Sequence, residues 1–339
     1  MGQRDTKPRL GYIPALDGLR GIAIAIVVAY HAYGWPYGGW LGVDLFFVLS
    51  GFLITTLLLE ERAATGAIHL RAFYVRRARR LLPALAVLLS AYLAISAARG
   101  VDALGTVARW GLYTGNVYEA FWPGAAQHLV GLNHLWSLAQ EEQFYLAWPV
   151  ALLLVRRARN PALVLALLVA ALVVYRDVLV LNGASDARIY FAPDTHVDGL
   201  LLGAALAFHR QRRAFSVKRL HLVAAAWIAL LIVALIPAVG ITEVVFLPVF
   251  EVAMVVLVAA AVDGSLRLPR PLVWLGGISY SLYLWHFVVL WAFHWHHPLL
   301  AVAASALAAY ASTMWIERPF RFKRDPGLRR HVPVPVPLA

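Results

Sequence analysis

The chain has 339 residues, of which 61% are hydrophobic and only 14% charged, whereas a soluble domain carries about a quarter charged residues. It has no cysteine, which excludes disulfides, thiolate nucleophiles and cysteine metal clusters. Its formal net charge of +12 would suit a nucleic-acid partner if the basic residues were spread evenly, and they are not.

The amino terminus, MGQRDTKPRLGYIP, has no small-residue cleavage site, so no removable signal peptide is expected. Apolar stretches long enough to cross a bilayer follow at about 19–36, 41–59, 81–98, 136–155, 161–181, 195–209, 220–239, 245–262, 272–294 and 298–316. This pattern predicts an all-α, polytopic membrane protein of about ten transmembrane helices. Segment 195–209 is short for a span, and 104–122 reads as an extra interfacial or re-entrant piece. Between 99 and 135 lie Trp110, Tyr113, Tyr118, Phe121 and Trp122, aromatics suited to a membrane interface. No internal repeat or inserted soluble domain is visible. Residues 1–325 are therefore expected to form a single transmembrane domain, and 326–339, with the alternating prolines of HVPVPVPLA, a short disordered cytoplasmic tail.

With these spans, 26 of the 30 Lys and Arg residues fall on one side; Arg99, Arg109 and Arg188 fall on the other and Arg176 inside the fifth span. The side rich in Lys and Arg faces the cytoplasm, which puts both termini there and the chain in the cytoplasmic membrane of the cell. The charge is then topological. It fits the lipid bilayer and a phosphorylated donor, not nucleic acid.

Ionisable side chains inside the hydrocarbon cost several kcal/mol, so each is a candidate functional residue. In the first span, LDGLRGIAIAIVVAYH, eleven residues separate Arg20 from His31. At ~100° per residue they share one helical stripe, roughly 16 Å apart along the axis, with Asp17 on the same stripe. Taken alone, Arg20 reads equally well as a snorkelling anchor and His31 as a packing residue. Next, GVDLFFVLSGFLIT places Asp44 in an apolar segment. FYVRRARRLLPAL gathers Arg76, Arg77, Arg79 and Arg80 where a helix meets the cytoplasm, a pattern that suits bidentate phosphate binding or an ordinary anchor. In HLWSLAQEEQFYLAWP the adjacent Glu141 and Glu142 diverge by ~100°, so at least one faces a polar interior, and Ser137 shares the face of Glu141. Asp198 adds a further carboxylate, and Tyr283 and His286 neighbour each other in GGISYSLYLWH. The cluster HWHH at 294–297 sits at a span end with no matching carboxylate, so no metal is expected.

In this order, LDGLRGIAIAIVVAYH, GVDLFFVLSGFLIT, FYVRRARRLLPAL, HLWSLAQEEQFYLAWP, YSLYLWH and then ERPFR, the chain resembles the membrane acyltransferase family 3 across about residues 10–325. The family's Arg-x10-His pair falls on Arg20 and His31, its Arg-x-x-Arg element on Arg77 and Arg80, and its Ser-Leu-x-x-Glu element on Ser137 and Glu141. The resemblance implies transfer of an acyl group, by default acetyl, from cytoplasmic acyl-coenzyme A to a carbohydrate or glycoside hydroxyl. Some members carry an extracytoplasmic esterase-like domain. The chain ends soon after ERPFRF, so that domain is expected to be absent, which leaves room for a protein partner.

The expected chemistry follows. Arg20, Arg77 and Arg80, with Arg76 beside them, hold the donor phosphates, and His31 acts as general base on the acceptor hydroxyl or is itself acylated first. Glu141, or else Asp17 or Asp44, orients His31. His286, Tyr283 or Ser137 donates to the thioester oxyanion. A transporter or flippase of a glycan or acidic solute is the alternative from another class, and a bis-histidine haem site at His31 and His286 is a third reading.

Overall fold

The first helix, α1 (Pro14–Tyr33), begins and ends for reasons visible in its sequence. Proline at the first helical position has no N–H to lose. At the other end Gly34, at φ +67°, makes the left-handed turn that lets its N–H cap the carbonyl of Tyr30. The computed structural model describes residues 10–122, 131–212, 222–223, 225–227, 241–293 and 295–321. Among the described residues there are helices and connections and no strand. A 3₁₀ turn (Tyr37–Trp40) leads into α2 (Leu41–Thr65), followed by α3 (Leu70–Ala98), α4 (Leu104–Gly111), α5 (Gly115–Phe121), α6 (Leu135–Val155), α7 (Pro161–Leu181), α8 (Asp186–Phe191) and α9 (Asp198–Arg212). Further along the chain come α10 (Ile241–Val262), α11 (Arg270–Gly277), α12 (Ser279–Ala292) and α13 (Pro298–Ser312), which continues through a π turn, Thr313–Glu317, to Arg321.

Five of these helices are long and apolar enough to cross a membrane: α1, α2 with its leading turn, α3, α7, and α13 with its continuation; α11 and α12 together make a sixth when counted as one bent span. The segments 136–155, 195–209 and 245–262 are helical as expected. However, α6 carries the polar run QEEQ at 140–143, and α9 has 15 residues, about 22 Å against a hydrocarbon core of about 30 Å. The span expected at 220–239 falls mostly outside the described residues, and the tail 326–339 wholly outside them.

The structure specifies two segments further. Segment 272–294 is not one straight helix: α11 and α12 meet at Ile278 with a bend of 71°. Segment 104–122 is a pair of short helices, α4 and α5, with Tyr113 between them at φ +56°.

Of the membrane-length helices, α2 is the most enclosed, with 78% of its apolar window buried against 17% for α7. Thus α2 is the axis of the bundle and α7 lies at its periphery. Lipid is as apolar as leucine, so helices in a bilayer associate by close van der Waals contact at small residues. A methyl group on Gly51 would lie 1.9 Å from the Leu200 carbonyl oxygen, which seats α9 on α2. One on Gly276 would lie 1.8 Å from the Asp17 carbonyl oxygen, and one on Gly21 would lie 2.0 Å from that of Leu272. These contacts seat α11 on the first half of α1. The bend then carries α12 to the other end of α1, where the candidate site lies.

Candidate active site

Three imidazoles from three helices meet at the Gly34 end of α1. His31 lies in the last turn of α1, His286 in α12 and His134 at the N-terminal cap of α6. His286 and His134 are almost fully enclosed, at 0% and 3% exposure, and His31 is the more open of the three. His31 Nδ1 is 3.0 Å from His286 Nε2. The rings of His134 and His286 have centroids 5.3 Å apart, and Phe287 stacks on His134 at 5.0 Å and meets His31 edge-on at 5.0 Å. Trp295 meets Phe287 edge-to-face at 5.3 Å.

The partners dictate where the protons sit on neutral rings. His286 Nδ1 faces the carbonyl oxygens of Tyr283 (2.7 Å) and Leu282 (3.1 Å). A carbonyl only accepts, so Nδ1–H donates and Nε2 is left as an acceptor. His31 Nδ1–H must then donate to that Nε2, which leaves the lone pair of His31 on its own Nε2. A backbone carbonyl thus fixes, through His286, the tautomer a general base requires. His134 is held separately: its Nε2–H donates to Leu284 O at 3.1 Å, and its buried Nδ1 has no hydrogen-bond partner.

This arrangement corrects the expected roles of several residues. Glu141 does not orient His31. Its Oε1 accepts from Ser50 Oγ at 2.9 Å and its Oε2 from Tyr145 OH at 3.2 Å. Asp17 lies fourteen residues before His31 on the same helix, about 21 Å away along the axis, and bonds Arg20 at 3.2 Å. Asp44 bonds His196 Nε2 at 2.9 Å with both side chains 1% exposed. Of these candidates and their neighbours, it is His286 whose side chain bonds His31. The expected oxyanion donors are also engaged: Tyr283 OH donates to the His134 carbonyl, Ser137 Oγ lies 2.6 Å from Tyr283 OH, and His286 has spent its N–H on the backbone.

The basic end of α1 holds a second polar group. Arg77 is 3.8 Å from Glu142 and stacks on the Tyr145 ring at 3.6 Å. Arg80 also acts on Glu142 electrostatically, while Arg76 pairs with Glu61 at 3.5 Å on the exposed side. Arg20 is within electrostatic range of Glu141, so the structure gathers Arg20, Arg77, Arg80, Glu141 and Glu142 at one mouth and leaves Arg76 outside it. Just before α1, burial and the neighbouring Asp17 carboxylate push the Tyr12 hydroxyl up to about 12, which keeps Tyr12 a hydrogen-bond donor to Asp17.

Asp198 stands apart from both ends. It pairs at 2.8 Å with Arg176, each 1% exposed, which explains how an arginine is tolerated inside the fifth expected span. Among the described residues no group of three or more His, Cys, Asp or Glu is placed to hold a metal ion; His294 lies outside them. The haem reading fails on geometry. Metal–imidazole bonds are about 2 Å, so two axial nitrogens stand on the order of 4 Å apart, and His31 and His286 are in direct hydrogen-bond contact.

Sequence reasoning did not select His134, Phe287, Ser50, Tyr145 or Trp295. Only His134 carried a usable signal, three residues before Ser137 in the same segment.

A family profile described as an acyltransferase domain matches residues 13–318. The chain belongs to acyltransferase family 3. Its relatives within that family include the peptidoglycan O-acetyltransferase OatA of Listeria monocytogenes, 32% identical over 94% of this chain and 57% of the relative. The putative peptidoglycan O-acetyltransferase YrhL of Bacillus subtilis is 33% identical over 95% of this chain and 57% of the relative. A putative O-acetyltransferase of Staphylococcus aureus is 32% identical over 92% of this chain and 58% of the relative. The chain therefore spans somewhat over half the length of these curated relatives. No solved structure matches it significantly. Family membership favours acyl transfer over the transport alternative.

Proposed function

We propose that this family-3 chain is a membrane O-acetyltransferase that moves an acetyl group from acetyl-coenzyme A to a hydroxyl of a cell-envelope carbohydrate. The observation that carries the reading is the directed chain from the Tyr283 carbonyl through His286 to His31, which leaves Nε2 of His31 with its lone pair in the least enclosed of the three rings. The relatives' names point to an acetyl group and a glycan.

His31 Nε2 takes the proton of the acceptor hydroxyl as its oxygen attacks the thioester carbonyl. The new C–O bond forms, the C–S bond breaks, and the imidazolium returns the proton to the departing coenzyme A thiolate. During the step His31 Nδ1–H stays bonded to His286, which shares the developing charge. The donor phosphates lie at the opposite, basic end of α1 beside Arg20, Arg77 and Arg80, with the thioester arm along the ~16 Å that separate Arg20 from His31. This polarity also supports about ten spans with both termini in the cytoplasm, because 26 of 30 basic residues fall on that side, and a location in the cytoplasmic membrane. A partner protein that presents or collects the acceptor is compatible with the reading.

The test is release of coenzyme A thiol from acetyl-coenzyme A by the protein in nanodiscs, with and without an envelope glycan extract. Release that requires both the extract and His31, and acetyl mass shifts in the extract, are expected. Turnover by His31→Ala at the parent rate would overturn the reading.

A further inference from the structure

At the basic end of the bundle, away from α1, a cavity of about 600 Å³ opens between the C-terminal ends of α2 and α9 and the turn joining α6 to α7. That volume lies within the range of small-molecule sites, roughly 300–1,000 Å³. Its wall contains three arginines, Arg62, Arg156 and Arg212, and, among the described residues, no carboxylate.

The acids that neighbour Arg62 in the chain are engaged elsewhere. Glu60 pairs with Arg210 at 3.8 Å and accepts from the Leu10 N–H, and Glu61 pairs with Arg76 and His69. Arg156 Nε is buried with no hydrogen-bond acceptor. Arg212 donates to the carbonyl oxygens of Arg159 and Ala158, which uses two of its five N–H groups and none of its charge. Pro161, at the first position of α7, also lines the cavity, so the positive end of that helix faces it.

Three guanidiniums and a helix N-terminus in one concavity repel one another unless an anion is shared between them, and the planar guanidinium fork fits a phosphate. We propose that this cavity binds the phosphate group of a phosphate ester, held by Arg62, Arg156 and Arg212. Two sources share that chemistry: an anionic lipid headgroup and a soluble nucleotide phosphate. The proposal does not depend on the chemistry at His31.

The experiment uses the full chain in phosphatidylcholine nanodiscs and measures binding of two probes by calorimetry, dihexanoyl phosphatidylglycerol and coenzyme A. The parent protein is compared with R62Q/R156Q/R212Q and, in case the triple variant fails to fold, with R62Q alone. Affinity is expected to fall roughly 10- to 150-fold per arginine removed, the loss of one hydrogen bond to a charged group. Loss of phosphatidylglycerol binding in the variants identifies a lipid headgroup, and loss of a second coenzyme A site, beyond the one expected at Arg20, Arg77 and Arg80, identifies a nucleotide phosphate. Parent-like affinity of folded variants for both probes overturns the proposal, as does a parent that binds no phosphatidylglycerol and only one coenzyme A. Thiol release by the same samples reports separately on the His31 chemistry, so the two readings fail independently.

Discussion

Replacing His286 by Phe keeps a planar ring in the same slot but removes both nitrogens. His31 then loses His286 as the acceptor for its Nδ1–H and keeps its backbone hydrogen bond to Val27, so its ring and tautomer are held less firmly. The lost bond is strongest in the transition state, when His31 carries a developing positive charge. Hydrogen bonds to charged groups are worth about 1.5–3 kcal/mol, and each 1.36 kcal/mol is tenfold in rate, so kcat should fall roughly 10- to 150-fold. The KM for acetyl-coenzyme A should hardly move, because the donor phosphates are expected at the other end of α1. His286→Gln offers an amide that can accept from His31 and donate to the Tyr283 carbonyl, so it should recover part of the loss. Steady-state thiol release by monodisperse protein in nanodiscs gives kcat and KM for each variant. A kcat for His286→Phe within twofold of the parent, or a loss confined to KM, would refute the assignment of His286 as the positioning residue of His31.

Gly276→Ala should lower the thermal midpoint and the yield of folded protein, since its methyl would sit 1.8 Å from the Asp17 carbonyl oxygen and overpacking costs about 1–3 kcal/mol or more; an unchanged midpoint would count against α1–α11 contact as the device that seats α12. Asp198→Ala strands Arg176 in a pair that is 1% exposed on both sides, so a loss of about 3–5 kcal/mol is expected in a thermal or denaturant unfolding series, and Arg176→Met combined with Asp198→Leu should recover much of it. Arg77→Gln should raise the KM for acetyl-coenzyme A more than it lowers kcat, because Arg77 belongs to the basic mouth and not to the histidine cluster. Equal losses in both parameters would place it in the chemistry.

The α1 sequence allowed one long inference: that Arg20 and His31 share a stripe and lie at opposite ends of one helix. Nothing in it indicated that the group orienting His31 stands 255 residues away. Glu141 was the reasonable candidate from chemistry alone, since carboxylates commonly orient catalytic histidines, yet Ser50 on α2 and Tyr145 one turn along α6 satisfy it instead. The Gly276–Gly277 pair was legible as a place of close packing. Its consequence, a 71° break that lays α12 over the end of α1, was not, because a bend depends on what each half packs against. Arg176 looked like an isolated charge in an apolar span until the start of α9 supplied Asp198.

Helical class and the spacing of residues within α1 were determined by the sequence itself, because the backbone hydrogen-bond repeat converts residue number directly into position along and around a helix. Which helices touch, and so which polar groups meet, was decided only by the tertiary structure. Those contacts arise from small residues that permit close approach and from buried polar atoms that must find partners somewhere in the bundle. Neither requirement names its partner in the local sequence.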